Sequence, residues 1–253
     1  AAIKEKYIRN GILYFKPDLN QSFNSFKLIS GTITVTDGPS SGSSDEFYIT
    51  IKGKGGHASA PHRSVDPIFI AAQVYIGIQG FLNRTVDPIA PIIFTIGKIE
   101  GGSRHNIISE TCYMEGTLRT LDEDLRDHLI DEIPKKIKEF ALIYGGDAEI
   151  DIRRGYAVGY NDKEINDHVR KAVIDLYGED SLYVNNTPIL GSEDFYEFRL
   201  RGKIPISMFG LGGRNEAKGF ISSNHSNYFD FDEDALPIGV AVLTQTALNY
   251  LSS

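Results

Sequence analysis

One ordered run of patterns between residues 46 and 154 limits what this chain can fold into more than any other feature. Phe47, Ile49 and Ile51 alternate with Tyr48, Thr50 and Lys52, as in a half-buried strand. Asp66-Pro67 then opens a helix to about residue 83, with Asp as N-cap and Pro in the first turn. Ile68, Ala72, Tyr75, Ile78 and Leu82 mark its apolar stripe. Residues 91–102 and 111–120 read as two further strands, the latter with Cys112, Met114 and Leu118 on one face. Thr120 and Glu123 predict a capping box for a second helix. Its stripe is Leu125, Leu129, Ile133, Ile137 and Phe140, Pro134 is expected to kink it, and Gly145-Gly146 ends it. Residues 148–154 read as a fourth strand. The order β-α-β-β-α-β predicts a ferredoxin-like domain of about 110 residues, with two helices on one face of an antiparallel sheet.

The flanks have another rhythm. Residues 1–13 look helical, and Pro17 blocks continuation. Residues 25–36 read as a strand. The Gly/Ser/Pro-rich stretch 37–44 is the most linker-like in the chain, and a domain boundary is expected there. After residue 157 a helix is predicted with Asn161 as cap and Gly178 as stop. A turn-rich segment around 187–198, an apolar strand over 205–213 and a last helix to about Leu251 follow. Leu236, Val240, Leu243, Ala247 and Leu251 mark the face of that helix. Head and tail together read as pieces of one α/β layer with the middle domain inserted.

Composition narrows the function classes. A net charge of −8 and a pI near 5.3 make nucleic acid or an anionic membrane an unsuitable partner. No apolar run approaches the roughly 18 residues of a membrane span, and no signal peptide is visible. The single Cys112 excludes an intrachain disulfide and fits a reducing compartment, which predicts a cytoplasmic location. GxxxxGK[ST] and GxSxG are both missing.

Four polar clusters remain. His57 and His62 lie on a glycine-hinged loop between a strand and a helix, where binding groups tend to sit. Loop histidines are more often solvated, and two of them do not make a zinc site. Residues 101–110 put His105 and Asn106 in a glycine-rich hairpin that by spacing alone reads more readily as a plain turn. Glu193 and Asp194 follow a tight turn, as an N-cap or a ligand pair. His225 precedes a run of acids that suits a solvated face or a helix start.

Taken together, these clusters resemble one family. EFYITIKGKGGHASAPHRSVDPI, TIGKIEGGSRHNIIS, MEGTLRT, LGSEDF and NHSNYFDFDEDALPIGV stand in the order and rough spacing of the zinc-dependent aminoacylase and carboxypeptidase amidohydrolases. The branch most similar is that of hippurate hydrolase, N-acyl-amino-acid amidohydrolase and auxin-conjugate hydrolases. The resemblance covers about residues 25–251. It implies a ferredoxin-like lid inserted in an α/β catalytic domain: residues 1–42 as a remnant of the catalytic domain, 43–156 as the lid and dimerisation domain, and 157–253 as the C-terminal part of the catalytic domain.

By the same resemblance, His57 is the lid histidine that stabilises the oxyanion, often in the partner subunit's site. Asn106 helps hold substrate, Arg119 orients substrate or structure, Glu193 lines the site, and His225 is a metal ligand. The substrate implied is an N-acyl amino acid or small peptide, and the cofactor a divalent metal, zinc or manganese, with a homodimer formed through the lid. In that dimer the strand at 91–102 is expected to offer a nearly uncharged edge, and Gln73, Gly77 and Gly80 to let a partner helix approach. The chain also departs from the family. Lys16 stands nearest the place of a ligand histidine, and Ser192 replaces the second glycine of the family's GGEDF. The family's first catalytic half, with its remaining ligands and its base glutamate, is expected to precede residue 1. Two readings follow: the C-terminal part of an amidohydrolase that binds metal weakly and is inactive alone, or a non-catalytic dimerising or ligand-binding relative.

Overall fold

The computed structural model describes residues 12–18 and 29–253. Its strands and helices in chain order are β1 (Ile12–Asp18), β2 (Ile33–Val35), β3 (Gly38–Ser41), β4 (Asp45–Lys52), β5 (Gly56–His57), α1 (Pro67–Thr85), β6 (Ile92–Gly101), β7 (Ile107–Ile108) and β8 (Thr111–Thr120). There follow α2 (Glu123–Ile143), β9 (Asp147–Arg154), β10 (Gly159–Asn161), α3 (Lys163–Tyr177), β11 (Leu182–Val184), α4 (Glu197–Gly202), β12 (Ile206–Gly212) and α5 (Leu236–Ser252). The chain divides into two compact units. One holds the described residues up to Ser40, Gly159–Ile189 and Asp194–Ser253; the other holds Ser41–Val158 and Leu190–Glu193.

The second unit is an antiparallel sheet in the order β6-β8-β4-β9. This is the ferredoxin-like arrangement that the pattern order predicts. Phe47, Ile49 and Ile51 of β4 and Cys112, Met114 and Leu118 of β8 form one core with α1 and α2, which therefore cover the same face. Asp66 caps α1 as expected, its Oδ1 accepting from the N–H groups of Ile68 and Phe69 at 2.9 and 3.3 Å. The buried face of α1 is Pro67, Ile70, Ala71, Val74, Ile78 and Leu82, whereas Ile68 and Tyr75 point outward. The helix is apolar on most sides, so spacing alone admits more than one stripe.

The cap of α2 differs from the expected box. Asp122 is the N-cap and accepts from Leu125 N–H at 2.8 Å. Thr120 ends β8, its Oγ1 accepting from Asp122 N–H at 3.2 Å. The helix runs through Pro134 and closes at Tyr144, with Gly145 at φ 78°. The linker-like stretch 37–44 is no loose tether: Gly38–Ser41 pairs with β10, and Ser41 and Ser43 are buried.

The first unit is a mixed sheet in the order β1-β12-β2-β11, with β1 parallel to β12 and β2 antiparallel to it. Residues 1–11 of the expected N-terminal helix lie outside the described residues, but Ile12 and Leu13 belong to a strand. Pro17 sits in β1, which is an outer strand of the described sheet, where a missing N–H is tolerated. Of the strand expected over 25–36, residues 25–28 lie outside the described residues. Only Ile33–Val35 is paired as a strand, after a turn at Gly31 with φ 86°. Ile33, Val35, Phe209 and Leu211 pack against Val169, Ala172 and Val173 of α3 and Val242 of α5.

Asp162, not Asn161, caps α3, accepting from the N–H groups of Glu164 and Ile165. The Asn161 amide donates instead to the carbonyls of Thr36 and Met208 at 2.9 and 3.1 Å. In α5 the buried positions are Gly239, Val242 and Thr246, and Val240 is exposed, again because the helix is apolar around most of its girth. No helix among the described residues is long and apolar enough to cross a membrane.

Candidate functional site

Strand β4 stops at Gly53, where a Cβ would lie 2.3 Å from the Val65 carbonyl oxygen. The chain then turns back, with Lys54 and Val65 exchanging both backbone hydrogen bonds at 2.8 and 3.0 Å. Gly56 and His57 pair with Ile108 and Ile107 as a two-stranded ribbon. A Cβ at Gly56 would fall 2.0 Å from Ser64 Oγ, so a side chain there would force Ser64 to turn away. His57 is exposed, and its Nδ1 faces the N–H and Oγ of Ser59 at 3.1 and 2.8 Å. The Asn106 carbonyl accepts from Ala58 N–H at 3.1 Å, so the structure brings His57 and Asn106 together on one ribbon. His62 and His105 are exposed beside it in sequence.

Arg119 lies near the far end of β8. Thr111 pairs with Lys52, where the ribbon begins, and Leu118 pairs with Asp45 at the other end. Eight residues of strand put Arg119 about 26 Å from that ribbon end. There its Nη1 donates to the Leu190 carbonyl at 3.1 Å and to Ser192 Oγ at 3.4 Å. This anchors the segment Leu190–Glu193, in which Glu193 is half-buried. Within one chain the second unit therefore carries two separate clusters, His57 with Asn106 and Arg119 with the Glu193 segment.

His225 stands in the first unit on an exposed turn, at φ 64°, a left-handed conformation costly for a side-chain-bearing residue. Its loop is closed at the base. Asp232 N–H donates to the Gly213 carbonyl at 2.9 Å, and the Asp232 carboxylate accepts from Asn215 Nδ2 at 2.7 Å and Lys218 Nζ at 2.6 Å. These hydrogen bonds, from Asn215 first and then Lys218, hold the Asp232 carboxyl below the usual carboxylate range. Among the acids after His225, Asp232 is thus a buried brace rather than part of a solvated face.

The described residues do not fit a metal centre by themselves. No group of three or more His, Cys, Asp or Glu side chains among them is placed to hold an ion, and His225 alone is far short of the three or four ligands such a site needs. Cys112 is buried, and burial, with the nearby Asp66 charge, pushes its thiol up, so it is a poor nucleophile.

Sequence reasoning missed a fully buried charged pair. Arg126 in α2 is bound by Asp45 of β4, Glu123 and the Gly155 carbonyl. Burial opposes its charge, but these partners outweigh that and raise its pKa above the ordinary arginine value. An Arg three residues after a helix-starting Glu, on the buried stripe, was the available signal.

A peptidase dimerisation domain model matches residues 41–145. The thermostable carboxypeptidase 2 of Saccharolobus solfataricus is 36% identical over 248 residues, covering 97% of this chain and 60% of that protein. The IAA-amino acid hydrolase ILR1-like 4 of Arabidopsis thaliana is 30% identical, covering 89% of this chain and 51% of that protein. The crystal structure of YxeP of Bacillus subtilis, a dinuclear metal-binding peptidase of the M20 family, superimposes with a TM-score of 0.72 at 25% identity, covering 96% of this chain and 58% of that one. The chain spans about 60% of the length of the curated relative it matches over the longest stretch of these.

Proposed function

Because the chain belongs with the M20 peptidases and amidohydrolases and carries their dimerisation domain, we propose that it serves hydrolysis of the amide bond of N-acyl amino acids or small peptides. The observation that carries this reading is the exposed His57 ring on a ribbon shared with Asn106. An imidazole N–H there is a donor for the carbonyl oxygen as it gains negative charge, and such donors act most strongly in sites that exclude water. The Asn106 side chain supplies a further hydrogen-bonding group for the substrate. Arg119 acts at the other end of the sheet, holding the segment that presents Glu193.

The separation of the two clusters favours a homodimer in which each lid lends His57 to the other copy's site. A divalent metal, zinc or manganese, would need ligands besides His225 from outside the described residues, and no step of the reaction is assigned to it. A reducing, cytoplasmic setting agrees with the lone buried Cys112.

A second reading, a dimerising or ligand-binding relative without hydrolytic activity, is favoured by the isolation of His225 among the described residues. The deciding experiment is hydrolysis of a panel of N-acyl amino acids and dipeptides by the purified protein with added zinc or manganese, beside His57→Ala. Turnover that falls on the order of 100-fold in the variant supports the hydrolase reading. No turnover with any substrate, alone or with either metal, supports the second.

A further inference from the structure

We propose that Ser59 is a positioning residue that fixes the tautomer and direction of the His57 ring, so that His57 meets its ligand only as an Nε2–H donor. This rests on the oxyanion reading of His57 given above. A backbone N–H can only donate. The Ser59 N–H at 3.1 Å from His57 Nδ1 therefore makes Nδ1 an acceptor in the neutral ring. The Ser59 hydroxyl at 2.8 Å from the same nitrogen adds a second donor. With both aimed at Nδ1, the ring proton is left on Nε2, because the bond made by one ring nitrogen sets the state of the other.

The turn that delivers these donors is itself held. Ala60 N–H donates to the His57 carbonyl at 2.9 Å, and Ala58 N–H to the Asn106 carbonyl at 3.1 Å. The neutral ring thus turns its lone pair inward on its own loop and its N–H outward. In that state it donates to a developing oxyanion and offers no basic nitrogen to a substrate proton.

The test is two-bond 1H–15N NMR of the chain labelled with 15N-histidine, at a pH where the ring is neutral, with His57 assigned by its loss in His57→Ala. The expected spectrum has a protonated Nε2 and an Nδ1 shifted as a hydrogen-bond acceptor. Ser59→Ala keeps the backbone donor but loses the hydroxyl. In that variant the Nδ1 resonance should move toward the value of an unbonded acceptor, and the two tautomers should begin to mix. Ser59→Thr should restore the wild-type pattern. A protonated Nδ1 in the wild type, or a Ser59→Ala spectrum identical to it, overturns the proposal. Failure of the oxyanion reading shows separately, as hydrolysis unaffected by His57→Ala while the Nε2–H tautomer stands.

Discussion

The Arg126 guanidinium grips the Asp45 carboxylate along both edges, Nε to Oδ2 at 2.8 Å and Nη2 to Oδ1 at 2.7 Å, with both side chains buried. The pair joins α2 to the start of β4. It also reaches the chain's exit from the second unit: Arg126 Nη2 donates to the Gly155 carbonyl at 3.1 Å, and Gly155 N–H to Asp45 Oδ1 at 3.3 Å. Glu123, bonded to Arg126 Nη1, accepts from Val158 N–H at 2.7 Å. Entry and exit strands are thus tied to one helix by a single network of charges.

Breaking that network from one side should cost far more than removing it. Asp45→Ala leaves a buried guanidinium without its main counter-charge, and we expect a loss of about 3–5 kcal/mol. Arg126→Met combined with Asp45→Ala should lose less than the two single changes added together, since each single change strands the other's buried charge and the double variant removes both. Urea titrations followed by circular dichroism measure this. Additive losses would show that the two side chains do not act as a pair.

The same residues mark how far a sequence can be read. The strands of the second unit were legible because Phe47, Ile49 and Ile51 alternate with Tyr48, Thr50 and Lys52, and Cys112 and Met114 repeat the spacing in β8. The faces of α1 and α5 were not, since apolar residues surround both helices and the sheet beneath chooses the side. Arg126 and Asp45 are 81 residues apart, and nothing local links them. Arg119 reaches Leu190 across 71 residues, which is why Leu190–Glu193 belongs with the second unit although the sequence around it reads as part of the tail. In the candidate site, the resemblance named His57, Asn106, Arg119, Glu193 and His225. Their grouping into separate clusters followed only from strand register.

Two classes of glycine should respond oppositely to alanine. Gly80 lies in α1 with no atom within 4 Å of a Cβ. Gly80→Ala should stabilise the chain by up to about 1 kcal/mol through helix propensity. At Gly53 and Gly155 a Cβ would meet backbone oxygens, Val65 O at 2.3 Å and Ser44 O at 2.2 Å, and backbone cannot step aside cheaply. Alanine at either should destabilise by about 1–3 kcal/mol. Thermal melts of the three variants check the signs.

Tyr196 gives the first unit an alkaline limit. Its hydroxyl donates to Asn161 Oδ1 at 3.2 Å and lies 2.7 Å from Ser40 Oγ. Burial pushes its pKa up to about 12 from the ordinary 10.0, although both hydrogen bonds pull it back. The folded pKa lies above the unfolded one, so the unfolded chain gives up this proton first. The stabilisation is whole below pH 10, and up to about 3 kcal/mol is lost as pH rises through 12. Tyr196→Phe should be less stable near neutrality and should flatten the decline between pH 10 and 12. An unchanged slope in that variant would place the alkaline sensitivity elsewhere.

The proposed lid dimer is testable at one strand. β6 is an edge of its sheet, and its two halves differ. Ile92–Ile96 carries no charge. The register then shifts between Ile96 and Lys98, and Lys98 and Glu100 follow, with Lys98 bonded to Glu115 at 3.1 Å and lying over the Tyr113 ring. Bulges and charges are what protect an edge from pairing. The expectation of a nearly uncharged edge therefore holds for the first half alone. On the adjoining α1, Gly77 is not open to a partner helix, because a Cβ there would meet the Phe140 ring of its own unit at 2.8 Å. Gly80 is open, and Ile76 is 64% exposed. A two-fold contact must be self-complementary and should bury at least about 1,000 Å² in total; the proposed contact joins the first half of β6 to the outer face of α1. Sedimentation should show a discrete dimer that Ile93→Lys with Thr95→Pro converts to monomer, while Ile99→Lys, beyond the bulge, leaves it intact. A dimer indifferent to the first pair of changes would place the contact elsewhere, and a broad spread of larger species in the wild type would mean unspecific association.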